Sequence, residues 1–248
     1  MSEMHWETQL AGDPTDLAML AEALTDPALA VAARGDGYVL SSTDFEALAS
    51  AGAVRDRAKE IVTALSGSAR LELGAHVSVE VGAVYRVHDD GRRDVTVFPE
   101  PAVLHWRGLP VTVIVGTAGG TSQVHRPADP ISAWVPLAQS DPRVAKALRL
   151  RNHDPLKWVE LYRIYEVLAD DMGGSTRMIE LGWVTNDKLE RFTHTADSVG
   201  AVGDDARHGR ERTQPPPRPL SLSAARDLID RLLRSWLTWK SREAGQGD

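Results

Sequence analysis

The sequence predicts an α+β protein, with N-terminal helices and a small antiparallel sheet followed by a helical C-terminal part. Three observations support this. Residues 76–87 alternate in polarity and run into Asp89-Asp90-Gly91-Arg92, a dipeptide pattern suited to a tight hairpin. Apolar residues recur at intervals of three and four from Trp158 to Leu168 and again from Ala225 to Trp236. Asp-Pro pairs at 13–14, 141–142 and 154–155 mark helix starts, because proline suits the first helical position.

In chain order, Asp13-Pro14 opens a helix with Leu17, Leu20, Ala21 and Leu24 on one face. Tyr38-Val39-Leu40 is a short strand. Thr43 and Glu46 have capping-box spacing, which predicts a helix start. A second helix, over about 53–65, carries Val54, Ala58, Ile61, Val62 and Leu65 inward. After the hairpin, Val95–Phe98 returns, and Val103–Trp106 and Val111–Val115 are further strands. Ile131–Leu137 reads as one more strand or an extended segment.

From there the pattern is helical: about 141–150, 154–172 and 186–197, the last capped by Thr185. Met178–Val184 reads as a short strand or a docking loop. A polar connection, 198–219, ends in Pro215-Pro216-Pro217-Arg218-Pro219, which is stiff and extended. Ser221 or Ser223 opens the final helix. The expected division is thus an α+β part over 1–136, with helices within 14–65 and strands over about 70–135, and a helical part over 137–248.

Composition excludes several chemistries. The 248 residues contain no cysteine, so disulfides, thiol nucleophiles and Cys-based zinc sites are ruled out, and a cytoplasmic location is expected. The start lacks the pattern of a secretory signal, and no run approaches a membrane span. The formal net charge of −7 argues against a general nucleic-acid binder. The charge is uneven. Residues 1–60 hold four Lys/Arg against eleven Asp/Glu, whereas 207–243 hold nine against four. The plain reading of this asymmetry is solvated helix faces; the sharper one is a basic C-terminal surface that meets an acidic protein partner or the chain's own N-terminal part.

No cofactor or metal is called for. Gly116–Thr121 lacks the lysine of a phosphate loop, and the eight histidines form no HExxH pair. His88 beside Asp89 and Asp90 belongs to a turn. Ser66-Gly67-Ser68 lacks the context of a nucleophile elbow. Asp170 and Asp171 are adjacent on a helix and so point in different directions, which suits a solvated helix end, and Asp204-Asp205 reads as part of a loop.

The candidate binding residues are Arg191 and His194, just before the 198–219 connection, and Arg207 and His208 within it. Arginine and histidine together supply cationic donors and a group titrating near neutrality, the chemistry that binds phosphate or shuttles protons. A connection of this length in a compact domain is unusual without a role.

The segments Trp158–Glu166, Gly182-Trp183, Arg191–Ala196, Ala206–Gly209 and Pro219–Leu222 resemble a pattern in uncharacterised bacterial proteins, over about residues 158–239. That resemblance implies a recurring role for His194, Arg207 and His208 without assigning an activity. A looser similarity is to the HEPN family of helical ribonuclease and toxin domains, whose sites carry Arg, four to six residues, then His on a helix. Arg70 and His76 match that count, although Gly74 and the strand-like context depart from it. Arg207 and His208 are adjacent and depart from it as well. Two readings follow: an interaction or accessory protein without its own catalysis, or a nucleic-acid-acting enzyme or nucleotide- or phosphate-binding protein built on the Arg/His set.

Overall fold

A computed structural model describes residues 4–35, 37–73, 79–98, 128–153, 155–207 and 214–244. The fold is α+β, and the described part of the chain forms two compact units, residues 1–59 with 77–130 and residues 60–76 with 131–248. The chain therefore does not divide at a single point near 136.

The first unit is built on a six-stranded antiparallel sheet. Its strands are β1 (His5–Gly12), β2 (Thr25–Asp26), β3 (Leu29–Arg34), β4 (Gly37–Ser42), β5 (Val79–Val87) and β6 (Arg93–Thr96), in the order β2-β3-β4-β1-β5-β6. One sheet face is the core, holding Leu10, Val31, Leu40 and Val84. Helix α1 (Pro14–Ala23) packs Leu17 and Leu20 in this unit against β1 and β3. Its cap is the one expected: the Asp13 carboxylate accepts from the Thr15 amide at 2.8 Å.

β1 and β3 were not anticipated, and burial of a charged residue explains the first. Glu7 is only 4% exposed and pairs with Arg93, with Arg34 at 3.8 Å, so β1 runs through the sheet centre without an apolar alternation. The expected hairpin is present: Gly91, at φ 81°, links β5 to β6. The two further strands expected over 103–115 lie outside the described residues.

Thr43–Phe45 forms one 3-10 turn rather than a helix start. Ser42 Oγ accepts from the Asp44 amide at 3.3 Å, and Phe45 is fully buried. Ser50, not Thr43, opens the next helix, by accepting from the Ala53 amide at 3.3 Å. That helix, α2 (Ala51–Leu73), extends beyond the expected 53–65. Its first nine residues belong to the first unit and the rest to the second.

The second unit is helical: α3 (Ala128–Ser140), α4 (Pro142–Arg151), α5 (Trp158–Asp171), α6 (Ser175–Glu180), α7 (Asn186–Ala196), α8 (Val199–Val202) and α9 (Leu222–Ala244). Two expectations are corrected here. Ile131–Leu137 lies within α3, not a strand: Pro130 sits in its first turn, and Ile131, Trp134, Val135 and Ala138 are buried at helical spacing. Met178 and Ile179 belong to α6, and the chain then turns at Gly182 (φ 72°) to bury Val184.

Helix α5 packs against α4, α7 and α9. Its N-terminus is set by Glu160, which accepts from the Lys157 amide at 3.1 Å, three residues after the expected Asp154-Pro155 start. Trp236, fully buried on α9, donates its indole N–H to Asp171 at 2.9 Å. At Gly67, α2 approaches α4 so closely that a Cβ there would lie 2.2 Å from the Leu148 carbonyl oxygen. Among the described residues no helix is long and apolar enough to cross a membrane.

Candidate functional site

Helix α7 starts where expected, with Thr185 Oγ1 accepting from the Lys188 amide at 3.4 Å. It buries Leu189, Phe192 and Ala196, which sets Arg191 and His194 on its other side, toward solvent. The Phe192 ring lies in an aromatic cluster with Trp158 (6.0 Å), Tyr162 (6.0 Å) and Tyr165 (5.9 Å). That cluster joins α5 to α7 and forms the floor on which Arg207 rests.

Each described member of the Arg/His set bonds to a different part of the fold. Arg191 donates from Nε and Nη2 to the Arg218 carbonyl, at 3.3 and 3.1 Å. His194 Nε2 lies 2.8 Å from the Gln214 carbonyl oxygen. A carbonyl only accepts, so this nitrogen carries the proton. Arg207 donates to Glu166 and, at 2.8 Å, to the Tyr162 hydroxyl. Its guanidinium stacks 4.1 Å over the Tyr162 ring, and its backbone N–H donates to the Ala196 carbonyl at 2.9 Å. Thr195, fully buried, accepts from the Leu220 amide at 3.1 Å. These groups hold both ends of the 198–219 connection against α5 and α7. The connection is not all irregular, since α8 and a 3-10 turn at Gly203–Asp205 lie within it. His208 lies outside the described residues.

The charge around Arg207 is net negative. Asp197 Oδ1 lies 3.9 Å from it, and Glu166 takes up its other end. Burial pushes the Tyr162 hydroxyl above its ordinary value, and the nearby Asp197 carboxylate adds to the shift. The phenol stays protonated, and an incoming phosphate would meet two carboxylates beside one guanidinium.

The remaining sequence candidates are structural. His88 Nε2 bonds Asp94 at 2.7 Å, and that hydrogen bond holds the Asp94 carboxyl below its usual range. Among the described residues no three metal-ligating side chains come together. Asp170 is exposed and Asp171 accepts from Trp236 and Lys240, yet the two do not fully diverge, because the Arg143 guanidinium lies 3.5 Å from each. Asp205 pairs with Lys157 at 3.2 Å. Arg70 donates to the carbonyls of Asn152 and His153, at 2.7 and 3.0 Å, and its HEPN-type counterpart His76 lies outside the described residues.

The basic last helix is largely engaged within its own unit. Arg226 donates to the Leu156 carbonyl, Arg234 to Glu72 and the Leu71 carbonyl, and Lys240 bridges Asp141 (2.7 Å) and Asp171 (2.9 Å). Burial works against the Lys240 charge, yet the hydrogen bonds it donates to Asp141 and Asp171 outweigh that and raise the lysine above its ordinary value. Arg231 and Arg242 stay exposed, with no partner among the described residues.

Sequence reasoning missed a cleft at this end of α9. About 420 Å3 in volume, it is lined by Trp183, Arg234, Ser235, Thr238, Trp239 and Arg242. The two indoles meet edge to face, 6.5 Å apart. On the other side of Trp239 a second cleft, about 470 Å3, is bordered by Asp141, Lys240 and Glu243, whose charges are mixed. The available signal was Trp239 itself: it continues the apolar stripe one turn past Trp236, where Lys240, Ser241 and Arg242 have already turned the helix polar.

Comparison with family models, with curated proteins and with solved structures returns no match for this chain.

Proposed function

We propose that this chain is an interaction or accessory protein without its own catalysis, and that its helical unit offers the C-terminal end of α9 to a partner protein. One observation carries the reading. The side chains expected to bind an anion, Arg191, His194 and Arg207, are each engaged within the fold, with the Arg218 and Gln214 carbonyls, Tyr162 and Glu166. These bonds tie the 198–219 connection down, and two carboxylates, Glu166 and Asp197, stand beside Arg207. At the far end of α9, by contrast, Arg242 keeps an exposed guanidinium beside a half-buried Trp239. Tryptophan and arginine are the residues most enriched where interface energy concentrates. A cysteine-free composition fits a reducing cytoplasm as the setting.

The test is purification of the full chain at low ionic strength from the cells that make it, with and without nuclease treatment. A protein recovered in fixed stoichiometry under both conditions supports the reading. Nucleic acid or nucleotide carried through purification, and lost on Arg207→Ala, overturns it in favour of an anion-binding site on α5 and α7.

A further inference from the structure

Arg234 is anchored from below. Its Nε lies 3.2 Å from Glu72, whose side chain is only 6% exposed, and it also donates to the Leu71 carbonyl. The guanidinium is thereby fixed at the cleft wall, and its counter-charge is sunk beneath it. Arg242, one helical turn beyond Thr238, is exposed. Ser235 and Thr238 add two hydroxyls between the arginines, and no carboxylate lines the cleft. Trp183 and Trp239 supply the apolar wall. The cleft thus combines positive charge, hydroxyl groups and one aromatic seat.

Its openness limits what fits. A small ligand binds tightly where most of its surface is enclosed. This cleft is open to solvent along α9, so it suits an occupant that covers the site with its own chain. A nucleic-acid strand needs a run of cations tracking its phosphates. Two arginines on a chain of net charge −7 do not provide one. A peptide needs less: one apolar side chain for the indoles, and carboxylates to meet the arginines.

We infer that the cleft between Trp183 and the C-terminal turns of α9 is a docking site for an acidic peptide segment of a partner protein, anchored by one apolar or aromatic side chain. This rests on the accessory reading and names the chemistry of its partner. The anchor sits against Trp239, and Asp or Glu residues on either side reach Arg234 and Arg242. Aromatic and arginine side chains in a desolvated pocket carry most of such binding, and the charges set its specificity and salt dependence.

The experiment is selection of a random dodecapeptide library on the immobilised full-length chain, followed by titration of the enriched peptides against two variants. Thr238 and Arg242 are both exposed, so Thr238→Glu and Arg242→Glu place a negative charge in the cleft without disturbing the core. The expected result is enrichment of acidic peptides with a single large apolar residue. Their affinity should fall about tenfold or more in each variant and with added salt. No enrichment, enrichment of basic peptides, or binding indifferent to both substitutions overturns the inference. So does tighter binding of a single-stranded oligonucleotide that is lost in the same variants. The two readings fail separately: a stoichiometric partner that still binds both variants leaves the accessory role standing and removes this cleft from it.

Discussion

Replacing Gly67 with alanine should weaken the helical unit, although alanine is the better helix former. In isolation the substitution gains about 1 kcal/mol, because glycine is the more costly residue in a helix interior. In this fold the new methyl group would stand 2.2 Å from the Leu148 oxygen, 2.8 Å from its carbonyl carbon and 3.1 Å from its Cα. All three are backbone atoms of α4, so no side chain can rotate away, and the helices must separate by about 1 Å to restore ordinary contact. Overpacking of this kind costs about 1–3 kcal/mol, and a backbone obstacle places it at the upper end. The net expectation is a loss of about 2 kcal/mol. Gly52→Ala, in the same helix, is the control. Nothing lies closer than 4.0 Å to a Cβ there, so a gain of about 0.5–1 kcal/mol is expected. Urea denaturation followed by tryptophan fluorescence reads the first change well, since Trp134, Trp158, Trp183, Trp236 and Trp239 all belong to the helical unit. An unchanged or raised midpoint for Gly67→Ala would refute the close approach of α2 and α4.

Three more outcomes follow from the pairings inside that unit. Arg151, bonded to Asp230 at 2.7 and 3.0 Å with its side chain 9% exposed, should cost about 3 kcal/mol on Arg151→Met. The double variant with Asp230→Leu should recover much of that loss in the same denaturation assay. Lys240→Met should destabilise most near neutrality. Asp141 titrates below its ordinary 3.8, held there by the Lys240 hydrogen bond against the opposing effect of burial, so its share is present above that value and lost at lower pH. Lys240 titrates above its ordinary 10.5, so its share is present below that value and lost as pH rises beyond it. The difference between wild type and variant should therefore be flat from about pH 5 to pH 9 and shrink at both ends; a monotonic trend would sink the assignment. Arg207→Ala should speed hydrogen exchange across residues 199–207 while costing only about 1 kcal/mol overall, because Glu166 is 45% exposed. Global unfolding in its place would show that the clamp is part of the core.

Local chemistry was legible in the sequence. Asp13, Asp141 and Thr185 accept from amides two or three residues on, and a cap of this kind needs no knowledge of the rest of the chain. The hairpin at Gly91 was legible for the same reason. Features decided across the chain were not. β1 takes its place between β4 and β5 through pairing with residues 28 and more positions away, and its buried Glu7 disguises the strand. Ile131–Leu137 carries β-branched and aromatic residues that suggest extension, yet burial on one face every three or four residues makes it a helix. The Arg/His set stands out in the sequence, but only the fold shows where its donors point. The cleft at Trp239 needed Trp183, from the turn after α6, to be brought beside α9.

The helical unit is discontinuous along the chain, and that bears on how the protein is made. Ala64 and Leu71 of α2 belong to the same hydrophobic cluster as Trp236 and Leu237 of α9. During synthesis the first pair emerges some 165 residues before the second, an interval on the order of ten seconds at cellular elongation rates. For that time α2 carries an apolar face with no partner, while the chain that will cover it has yet to be made. A fragment cut at residue 137 would lack α2 altogether and leave its place in the cluster vacant. Trp236 and Leu237, in the C-terminal half of α9, complete a core begun in the first third of the chain, so termination of translation before them exposes that core rather than merely shortening the protein.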